Sequence, residues 1–238
     1  MKQIVILAGG LGTRLRPITE KIPKPLVPVG GRAFLFWQLQ ECIRQNYNNI
    51  LLLVSYLGEQ VVSEFGDGSS MGLSIKYSFE KDPMGTGGAL KNATPLLNES
   101  FIVLNGDSFL RAPLMSIEEH FDASNAKALI STYDNRLPTP VRENIVSKDG
   151  WVTRYQKAAG REQGLELVDS GIYVFKKSVI ENMAQDKFQI EALWPELISH
   201  KQLASFAVNE RFYDIGTPER LKEFEEKIHD YFAHSVSH

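Results

Sequence analysis

The sequence predicts an α/β fold in which a Rossmann-like, wound mixed β-sheet is flanked by helices and carries a small α+β extension. Short continuous apolar runs at residues 4–7 and 101–104 are typical of strands that are buried on both faces of a sheet. Amphipathic segments alternate with such runs, which is the pattern of successive β-α-β units. After Asn135 the pattern changes, and residues 141–146 and 151–156 predict the two strands of a β-hairpin.

The other elements follow from the spacing of apolar residues, which differs between helices and strands. The last helix begins at Thr217-Pro218-Glu219, which combines a cap residue, a proline in the first turn and an early acid. Further helices are predicted over residues 32–46, 57–65, 88–97, 117–123 and 190–199. Further strands are predicted over residues 50–54, 73–78, 128–133, 167–175 and 203–208. Since no internal repeat or Gly/Ser-rich linker interrupts the chain, we expect one domain over residues 1–238.

The composition is that of a globular protein and excludes several classes of function. Of 238 residues, 43% are hydrophobic, and 26 Lys plus Arg against 29 Asp plus Glu give a net charge of −3. That balance lacks the basic surface of a nucleic-acid-binding protein. Cys42 is the only cysteine, which excludes a disulfide framework. No apolar stretch is long enough to cross a bilayer and the N-terminus lacks a signal-peptide pattern, so we expect a cytoplasmic protein without a membrane partner.

A glycine-rich segment after the first predicted strand is the strongest indication of a ligand site. A buried strand that runs into glycines can bring backbone N–H groups close to a phosphate, and neighbouring arginines add positive charge. No lysine follows Gly12 as in a P-loop, and Leu15 replaces the third glycine of a dinucleotide-binding fingerprint. The alternative is a glycine-rich turn with surface arginines. The segment reads Leu7-Ala8-Gly9-Gly10-Leu11-Gly12-Thr13-Arg14-Leu15-Arg16-Pro17.

Two further segments suit the same ligand. Lys24 lies between Pro23 and Pro25, which stiffen the backbone, and a point charge held in this way suits an anionic transition state. A second glycine cluster follows a predicted strand and precedes a predicted helix, so its amides can approach a base or a phosphate. A solvated lysine and a flexible loop are the alternatives. The cluster reads Glu80-Lys81-Asp82-Pro83-Met84-Gly85-Thr86-Gly87-Gly88.

Two aspartates at strand ends are candidates for a metal site. Asp107 follows the buried strand at residues 101–104, at the edge where open α/β sheets bind ligands. Asp214 lies in a similar strand-to-helix corner. Carboxylate oxygens suit Mg²⁺, which bridges phosphates in phosphoryl-transfer sites. The alternative for Asp214 is that it only caps a turn.

In this order, the motifs resemble those of the sugar-1-phosphate nucleotidylyltransferases. The likeness spans nearly the whole chain, and the ordered set is more specific than any single motif. It implies a GT-A-like nucleotidyltransferase fold with a nucleotide-binding core in residues 1–135 and a sugar-binding, C-terminal part in residues 136–238. The motifs that carry it are residues 7–17, Pro23-Lys24-Pro25, Gly85-Thr86-Gly87-Gly88, Asn105-Gly106-Asp107, Ser170-Gly171-Ile172-Tyr173 and Asp214-Ile215-Gly216-Thr217-Pro218.

The resemblance implies transfer of a nucleoside monophosphate from an NTP to a sugar 1-phosphate, with release of pyrophosphate. It implies that Arg14, Lys24 and Asp107 are catalytic and that Asp107 and Asp214 bind Mg²⁺. The implied nucleotide-binding residues are Leu7, Ala8, Gly9, Gly10, Gly12, Thr13, Glu80, Gly85, Thr86 and Gly87. The implied sugar-phosphate-binding residues are Asn105, Gln156, Lys157, Asp169, Ser170 and Gly171. A homo-oligomer is compatible with the sequence, which does not fix the oligomeric state.

The sequence departs from the family pattern at the sugar site. Gln156-Lys157-Ala158 replaces the Glu-Lys-Pro that is common in the family, so a carboxylate contact to a sugar hydroxyl is lost while Lys157 can still reach the phosphate. Asp169-Ser170-Gly171 replaces Asn-Ala-Gly, and we expect Asp169 to take over a sugar contact.

Glu80 bears on the choice of base. A carboxylate accepts two hydrogen bonds from guanine N1–H and N2–H₂, whereas uracil offers one donor on that edge. Residues 80–88 also resemble the guanylyltransferases that act on D-glycero-α-D-manno-heptose 1-phosphate, so GTP is the favoured NTP. Residues 57–60 and 66–68 are similar to N-acetylmuramate-1-phosphate uridylyltransferases. The first alternative is therefore a uridylyltransferase that acts on N-acetylmuramate 1-phosphate or another hexose 1-phosphate. An inactive, nucleotide-sensing regulatory subunit of the same fold is the alternative from another class.

Overall fold

The computed structural model describes residues 1–139, 141–157 and 159–232. The strands are β1 (Gln3–Leu7), β2 (Pro28–Val29), β3 (Arg32–Ala33), β4 (Asn49–Val54), β5 (Ser74–Phe79), β6 (Ser100–Asn105), β7 (Ser108–Phe109), β8 (Ala128–Tyr133), β9 (Ile145–Lys148), β10 (Trp151–Tyr155), β11 (Val168–Lys176), β12 (Leu203–Ala207) and β13 (Tyr213–Asp214). The α-helices are α1 (Phe34–Arg44), α2 (Gly58–Phe65), α3 (Gly85–Asn92), α4 (Leu114–Ser124), α5 (Lys177–Glu181), α6 (Trp194–Ser199) and α7 (Pro218–Phe232).

A nine-stranded mixed sheet forms the centre of the described part of the chain, in the order β5-β4-β1-β6-β11-β8-β12-β10-β9. β5, β4, β1 and β6 are parallel neighbours, whereas β11 runs antiparallel to both β6 and β8. Because β11 lies between β6 and β8, residues 1–135 and 136–238 contribute to one sheet. The predicted mixed sheet is confirmed, and the predicted hairpin is β9–β10 at its edge.

Side chains that alternate along β1 explain why helices cover both faces of the sheet. Ile4 and Ile6 pack on the face that α1, α2 and α4 cover. Val5 packs on the opposite face, with residues of α3 and α6. All three side chains are fully buried, so β1 is a strand without a solvent face.

A third apolar cluster joins α7 to segments that lie far from it in sequence. Phe224 and Ile228 of α7 pack with Leu15 of the glycine-rich segment, Val27 after the prolines and Phe109 of β7. The rings of Phe109 and Phe224 lie 5.1 Å apart. The last helix therefore fixes the positions of three segments that carry predicted site residues.

Two differences from the predicted elements bear on the site. α3 begins at Gly85 rather than at residue 88, so the second glycine cluster forms its first turn. β7 and β13 pair with each other outside the large sheet and were not predicted, because two-residue strands carry no periodicity. In the part of the chain that the structure describes, no helix has the length and apolar character needed to cross a membrane.

Candidate active site

A cavity of about 290 Å³ opens where β1, β4 and β6 end. This is the edge at which open α/β sheets bind ligands, and the volume is near the lower end of the range for small-molecule sites, about 300–1,000 Å³. The predicted site residues on its wall are Leu7, Ala8, Gly9, Gly10, Lys24, Glu80, Gly85, Thr86, Asn105 and Asp107. Leu11, Ser55 and Gln189 also line it, and sequence reasoning missed them.

The first glycine segment (residues 9–12) is anchored through its carbonyl groups. Ser55 Oγ donates a hydrogen bond to the Gly9 carbonyl (2.8 Å), and Thr19 Oγ1 donates to the Gly12 carbonyl (2.7 Å). Gly12 has φ +61°, and a Cβ there would lie 2.7 Å from Thr19 Cγ2, so this position requires glycine. Among the described residues, no acceptor pairs with the backbone N–H groups of Gly9, Gly10 and Leu11. These donors are free to bind an anion in the cavity.

Lys24 and Asp107 form an ion pair on the cavity wall. Lys24 Nζ lies 2.6 Å from Asp107 Oδ2, and Ser108 Oγ donates to Oδ1 at 3.2 Å. Lys24 is only 7% exposed, so the ammonium group is held in a partly desolvated place. Burial alone would raise the pKa of Asp107, but Lys24, Ser108 and Arg14 together lower that pKa below its usual value. The carboxylate is therefore ionised at neutral pH.

Asp214 is brought next to Asp107 by the pairing of β13 with β7. Asp214 lies opposite Ser108, and the Ile215 N–H donates to the Asp107 carbonyl at 3.0 Å. Asp214 Oδ1 accepts hydrogen bonds from the Gly216 N–H (2.7 Å) and from Arg220 Nη1 (3.2 Å). Asp214 is thus paired with the residue that directly follows Asp107, where β13 meets the start of β7.

Arg14 borders the same corner. A Cβ on Gly216 would lie 3.0 Å from Arg14 Nη2 and 2.7 Å from Asp214 Oδ1. Arg14 therefore lies near Asp214, and its positive charge and that of Lys24 both act on Asp107. Such a set of fixed charges can neutralise a polyphosphate and stabilise the charge of its transition state.

Known proteins are similar to this chain over nearly its full length. The family model described as nucleotidyl transferase matches residues 3–231. The chain belongs to the nucleotidyl transferase family. It is 34% identical over 224 residues to a D-glycero-α-D-manno-heptose 1-phosphate guanylyltransferase of Campylobacter jejuni, and the match covers 93% of this chain and 98% of that protein. The protein of the same name from Aneurinibacillus thermoaerophilus is 28% identical over 240 residues, with 96% and 99% covered.

A solved structure shares the fold of this nucleotidyl transferase. HddC from Yersinia pseudotuberculosis, complexed with GMP-PN, superposes with a TM-score of 0.79 at 29% identity. The match covers 95% of this chain and 99% of HddC. The predicted family and fold are confirmed, and nucleotidyl transferases of this family generally use a divalent metal.

The carboxylates of this nucleotidyl transferase fit a metal ion whose ligands come partly from the protein and partly from a substrate. Across residues 1–139, 141–157 and 159–232, no group of three or more His, Cys, Asp or Glu side chains could hold a metal ion. Mg²⁺ is commonly bound by one or two carboxylates together with substrate phosphates and water. Asp107 and Asp214 match that donor set: Asp107 lies on the cavity wall, Asp214 pairs opposite its neighbour Ser108, and together they supply two carboxylates without a complete cage.

Gln38 supports the turn that carries Asp107, and sequence reasoning missed it. Its Nε2 donates to the carbonyls of Asn105 and Ser108, both at 2.8 Å. Gln38 is 4% exposed, and its Oε1 has no hydrogen-bond partner among the described residues. A glutamine within the apolar face of α1 was the signal in the sequence, because a buried amide must find partners.

The second glycine segment (residues 85–88) forms backbone hydrogen bonds with another segment of the protein. The N–H groups of Gly87 and Gly88 donate to the Phe188 carbonyl at 3.0 and 3.1 Å. The Phe188 N–H donates in return to the Met84 carbonyl at 3.0 Å. A Cβ on Gly87 would lie 2.2 Å from the Phe188 ring, so glycine is required there by packing. Gly87 does not line the cavity, and its amide is not free for the nucleotide contact predicted from the sequence.

Glu80 reaches the cavity from the end of β5. Its Oε2 accepts a hydrogen bond from the Met84 N–H at 2.9 Å. Its Oε1 faces the first glycine segment, since a Cβ on Gly9 would lie 3.1 Å from it. Burial raises the pKa of Glu80, and the hydrogen bond from Met84 opposes that shift. One carboxylate oxygen is thus committed to the turn and the other faces the ligand space.

The predicted sugar-phosphate residues divide into exposed and buried groups. Gln156 and Lys157 are exposed; Gln156 bonds to Gln163 and Arg154, and Lys157 forms an ion pair with Glu191. Neither lines the cavity, and Ala158 lies outside the described residues.

The Asp169-Ser170-Gly171 turn is held from within the protein. Asp169 accepts hydrogen bonds from the Gly171 N–H and the Tyr173 hydroxyl, both at 2.9 Å. Ser170 is buried and its Oγ pairs with Ser131 Oγ at 2.6 Å. Gly171, at φ +85°, packs against Asn105, since a Cβ there would lie 2.9 Å from Asn105 Nδ2. The turn therefore supports Asn105, which is itself on the cavity wall.

Proposed function

We propose that this nucleotidyl transferase transfers GMP from GTP to D-glycero-α-D-manno-heptose 1-phosphate and releases pyrophosphate. The observation that carries the proposal is a cavity whose wall combines the Lys24–Asp107 ion pair, Glu80 and three residues, Gly9, Gly10 and Leu11, whose N–H groups have no acceptor among the described residues. Near full-length similarity to two heptose 1-phosphate guanylyltransferases supports the choice of GTP and of the sugar.

The reaction needs positioning and charge neutralisation more than acid–base chemistry. A phosphate oxygen of the sugar 1-phosphate forms a bond to the α-phosphorus of GTP, and the bond from that phosphorus to the bridging oxygen of pyrophosphate breaks. The nucleophile is already an anion, so no general base is required. Arg14 and Lys24 balance the charge that develops, and the first glycine segment holds the phosphates in line.

Mg²⁺ is part of the proposal, with Asp107 and Asp214 as its protein ligands. The ion would withdraw charge from the phosphates and orient them for an in-line displacement. Asp107 pairs with Lys24 and Asp214 with Arg220 in this structure. When the metal is bound, Asp107 and Asp214 would hold it, and Lys24 would supply positive charge to a phosphate from the cavity wall.

The remaining contacts are assigned from the sequence motifs and from the residues on the cavity wall. We assign the nucleotide to Leu7, Ala8, Gly9, Gly10, Gly12, Thr13, Glu80, Gly85 and Thr86. We assign the sugar phosphate to Asn105, Gln156 and Lys157, with the Asp169-Ser170-Gly171 turn as the support of Asn105. Residues 1–135 would thus bind mainly the nucleotide and residues 136–238 mainly the sugar. A cytoplasmic location, where GTP and sugar phosphates are made, belongs to the same proposal.

Pyrophosphate release tests the proposal directly. The purified protein is given each of the four NTPs with Mg²⁺ and one of three acceptors: heptose 1-phosphate, mannose 1-phosphate or N-acetylmuramate 1-phosphate. We expect the highest kcat/KM for GTP with the heptose. A maximum for UTP with N-acetylmuramate 1-phosphate would identify the uridylyltransferase alternative. Thermal stabilisation by an NTP without pyrophosphate release from any pair would identify the regulatory alternative.

A further inference from the structure

A segment from the C-terminal part of the chain completes the nucleotide side of the cavity. Phe188 binds the second glycine segment through its backbone, and Ile190 follows with an N–H that donates to Thr86 Oγ1 at 2.9 Å. Gln189 lies between these two anchors and lines the cavity. Its side chain is exposed to the cavity space while its backbone is fixed on both sides.

The hydrogen bonds of Thr86 determine which way the Gln189 carboxamide faces. The Thr86 hydroxyl accepts from the Ile190 N–H at 2.9 Å and donates its own proton to Gln189 Oε1 at 3.1 Å. The Thr86 N–H also points to Oε1, at 3.3 Å. Two donors on one side fix the oxygen there, because the NH₂ group would offer them no acceptor. The NH₂ group therefore faces the opposite side, beside Gly85, where a Cβ would lie 3.0 Å from Nε2.

We infer that Gln189 is a specificity-determining residue for the base: its NH₂ group donates a hydrogen bond to the O6 carbonyl oxygen of guanine. The inference rests on the proposed guanylyl transfer and names a residue that the sequence motifs do not contain. Among the described residues, Nε2 has no acceptor within the chain, so the donor is free for a ligand.

Charge at this end of the cavity favours a neutral ring over a phosphate. Glu80 accepts a hydrogen bond from the Met84 N–H and Gln189 accepts one from the Thr86 N–H, so one turn holds both side chains on the cavity wall. The carboxylate of Glu80 repels a phosphate, whereas Lys24 attracts one. An acceptor from Glu80 and a donor from Gln189 match the edge of guanine, where O6 accepts and N1–H and N2–H₂ donate. The amides of Gly87 and Gly88 cannot replace this donor, since Phe188 already binds them.

Nucleotide analogues separate the contact of Gln189 from that of Glu80. The quantity to measure is kcat/KM for GTP and for two analogues. In 6-thio-GTP, sulfur weakens the acceptor at position 6, and ITP lacks the N2 amino group. The wild type should prefer GTP over 6-thio-GTP by about three- to tenfold, the effect of one hydrogen bond. In Gln189→Ala that ratio should fall to about one while the ratio of GTP to ITP stays at the wild-type value. Gln189→Glu should impair GTP more than Gln189→Ala, because a carboxylate oxygen then faces O6.

Gln185→Glu is the matched control for Gln189→Glu. It also replaces a glutamine by a glutamate, four residues earlier in the chain, at a position that does not line the cavity. The Gln185 side chain is exposed, and its backbone carbonyl accepts from Lys91 Nζ at 3.2 Å. This variant should keep all wild-type ratios. A GTP to 6-thio-GTP ratio that is unchanged in Gln189→Ala, or is one in the wild type, would overturn the inference. Failure of the proposed function is distinguishable, because the wild type alone would then prefer another NTP before any variant is compared.

Discussion

Two glycine segments border the same cavity, but they use their backbones in opposite ways. In the first glycine segment the carbonyls of Gly9 and Gly12 accept from Ser55 and Thr19, and within the described part of the chain the N–H groups of residues 9–11 have no acceptor. The second glycine segment gives the N–H groups of Gly87 and Gly88 to Phe188. Glycine permits close approach in both cases, yet in one the partner is a ligand and in the other it is the protein itself. A glycine-rich segment therefore predicts a close contact, but it does not predict whether the partner is a ligand or the protein itself.

The largest effect is expected on the open side of this comparison, at Asp107. Asp107→Asn and Asp214→Asn should each lower kcat by about a hundredfold or more, since a charged ligand to the metal is lost. The fold should persist, because Asn keeps an oxygen for Ser108 or for the Gly216 N–H. Steady-state kinetics at several Mg²⁺ concentrations, together with thermal unfolding, provide the measurement. Asp122→Asn, at an exposed carboxylate remote from the cavity, is the control, and near-normal activity of either site variant would remove that residue from the metal site.

Alanine substitutions at one glycine of each segment test the comparison itself. A Cβ on Gly10 has no neighbour closer than Lys24 Cδ, at 3.9 Å, whereas a Cβ on Gly87 meets the Phe188 ring. Gly10→Ala should therefore keep the wild-type Tm and raise the KM for GTP by about tenfold or more, because hydrogen bonds to a charged phosphate are weakened. Gly87→Ala should destabilise the protein by about 1–3 kcal/mol through overpacking.

Each of these two variants is the control for the other. Thermal unfolding and GTP titrations on both give four values that must separate into one stability effect and one binding effect. If Gly87→Ala keeps the wild-type Tm and Gly10→Ala has a lower Tm, the first glycine segment is the one that packs against the protein and the prediction is wrong.

The central strands could be predicted because their physics is local. Continuous apolar runs mark β1 and β6, since a strand covered on both faces has no polar side. The same reasoning placed Asp107 at the ligand-binding edge of the sheet, because it follows the buried strand β6. Lys24 was predicted to meet the same ligand from its position between two prolines, and its ion pair with Asp107 was not predicted.

The adjacency of Asp107 and Asp214 could not be predicted in the same way. It depends on two-residue strands that pair across more than a hundred positions, and such short elements have no periodic signal. The contact between Phe188 and Gly87, which also places Gln189 in the cavity, joins segments that are similarly far apart in the sequence. Long-range packing therefore decided which predicted amides are free.

Glu80 links the two segments and should have a smaller effect. Glu80→Gln should reduce the preference for GTP over UTP by about tenfold, because the amide replaces an acceptor oxygen by a donor group. The Tm should change little, since the remaining oxygen can still accept from the Met84 N–H. Competition between the two NTPs in one reaction measures the ratio. An unchanged ratio would show that Glu80 holds only the Met84 turn and does not read the base.

The smallest effect on turnover is expected at Asp169, which extends the comparison to the sugar side. Its carboxylate accepts hydrogen bonds from Gly171 and Tyr173 inside the fold. Asp169→Asn should therefore change kcat/KM by less than about threefold, below the effect of one lost hydrogen bond to a substrate. The stability of the protein should respond instead. Burial raises the pKa of Asp169 to about 6, although its two hydrogen bonds oppose the shift.

The sign of the pH dependence follows from the proton that the folded state retains. Between about pH 4 and pH 6 the unfolded chain has lost this proton and the folded protein still binds it, so wild-type stability falls as the pH rises through this window. Asp169→Asn lacks that loss, and its Tm should gain on the wild type by an amount equivalent to about 1–3 kcal/mol between pH 4 and pH 7. Tyr173→Phe removes a donor that favours the charged carboxylate, so in that variant the loss should extend to higher pH. A Tm difference between wild type and Asp169→Asn that is independent of pH would place the carboxyl in contact with solvent and leave it free to meet the sugar.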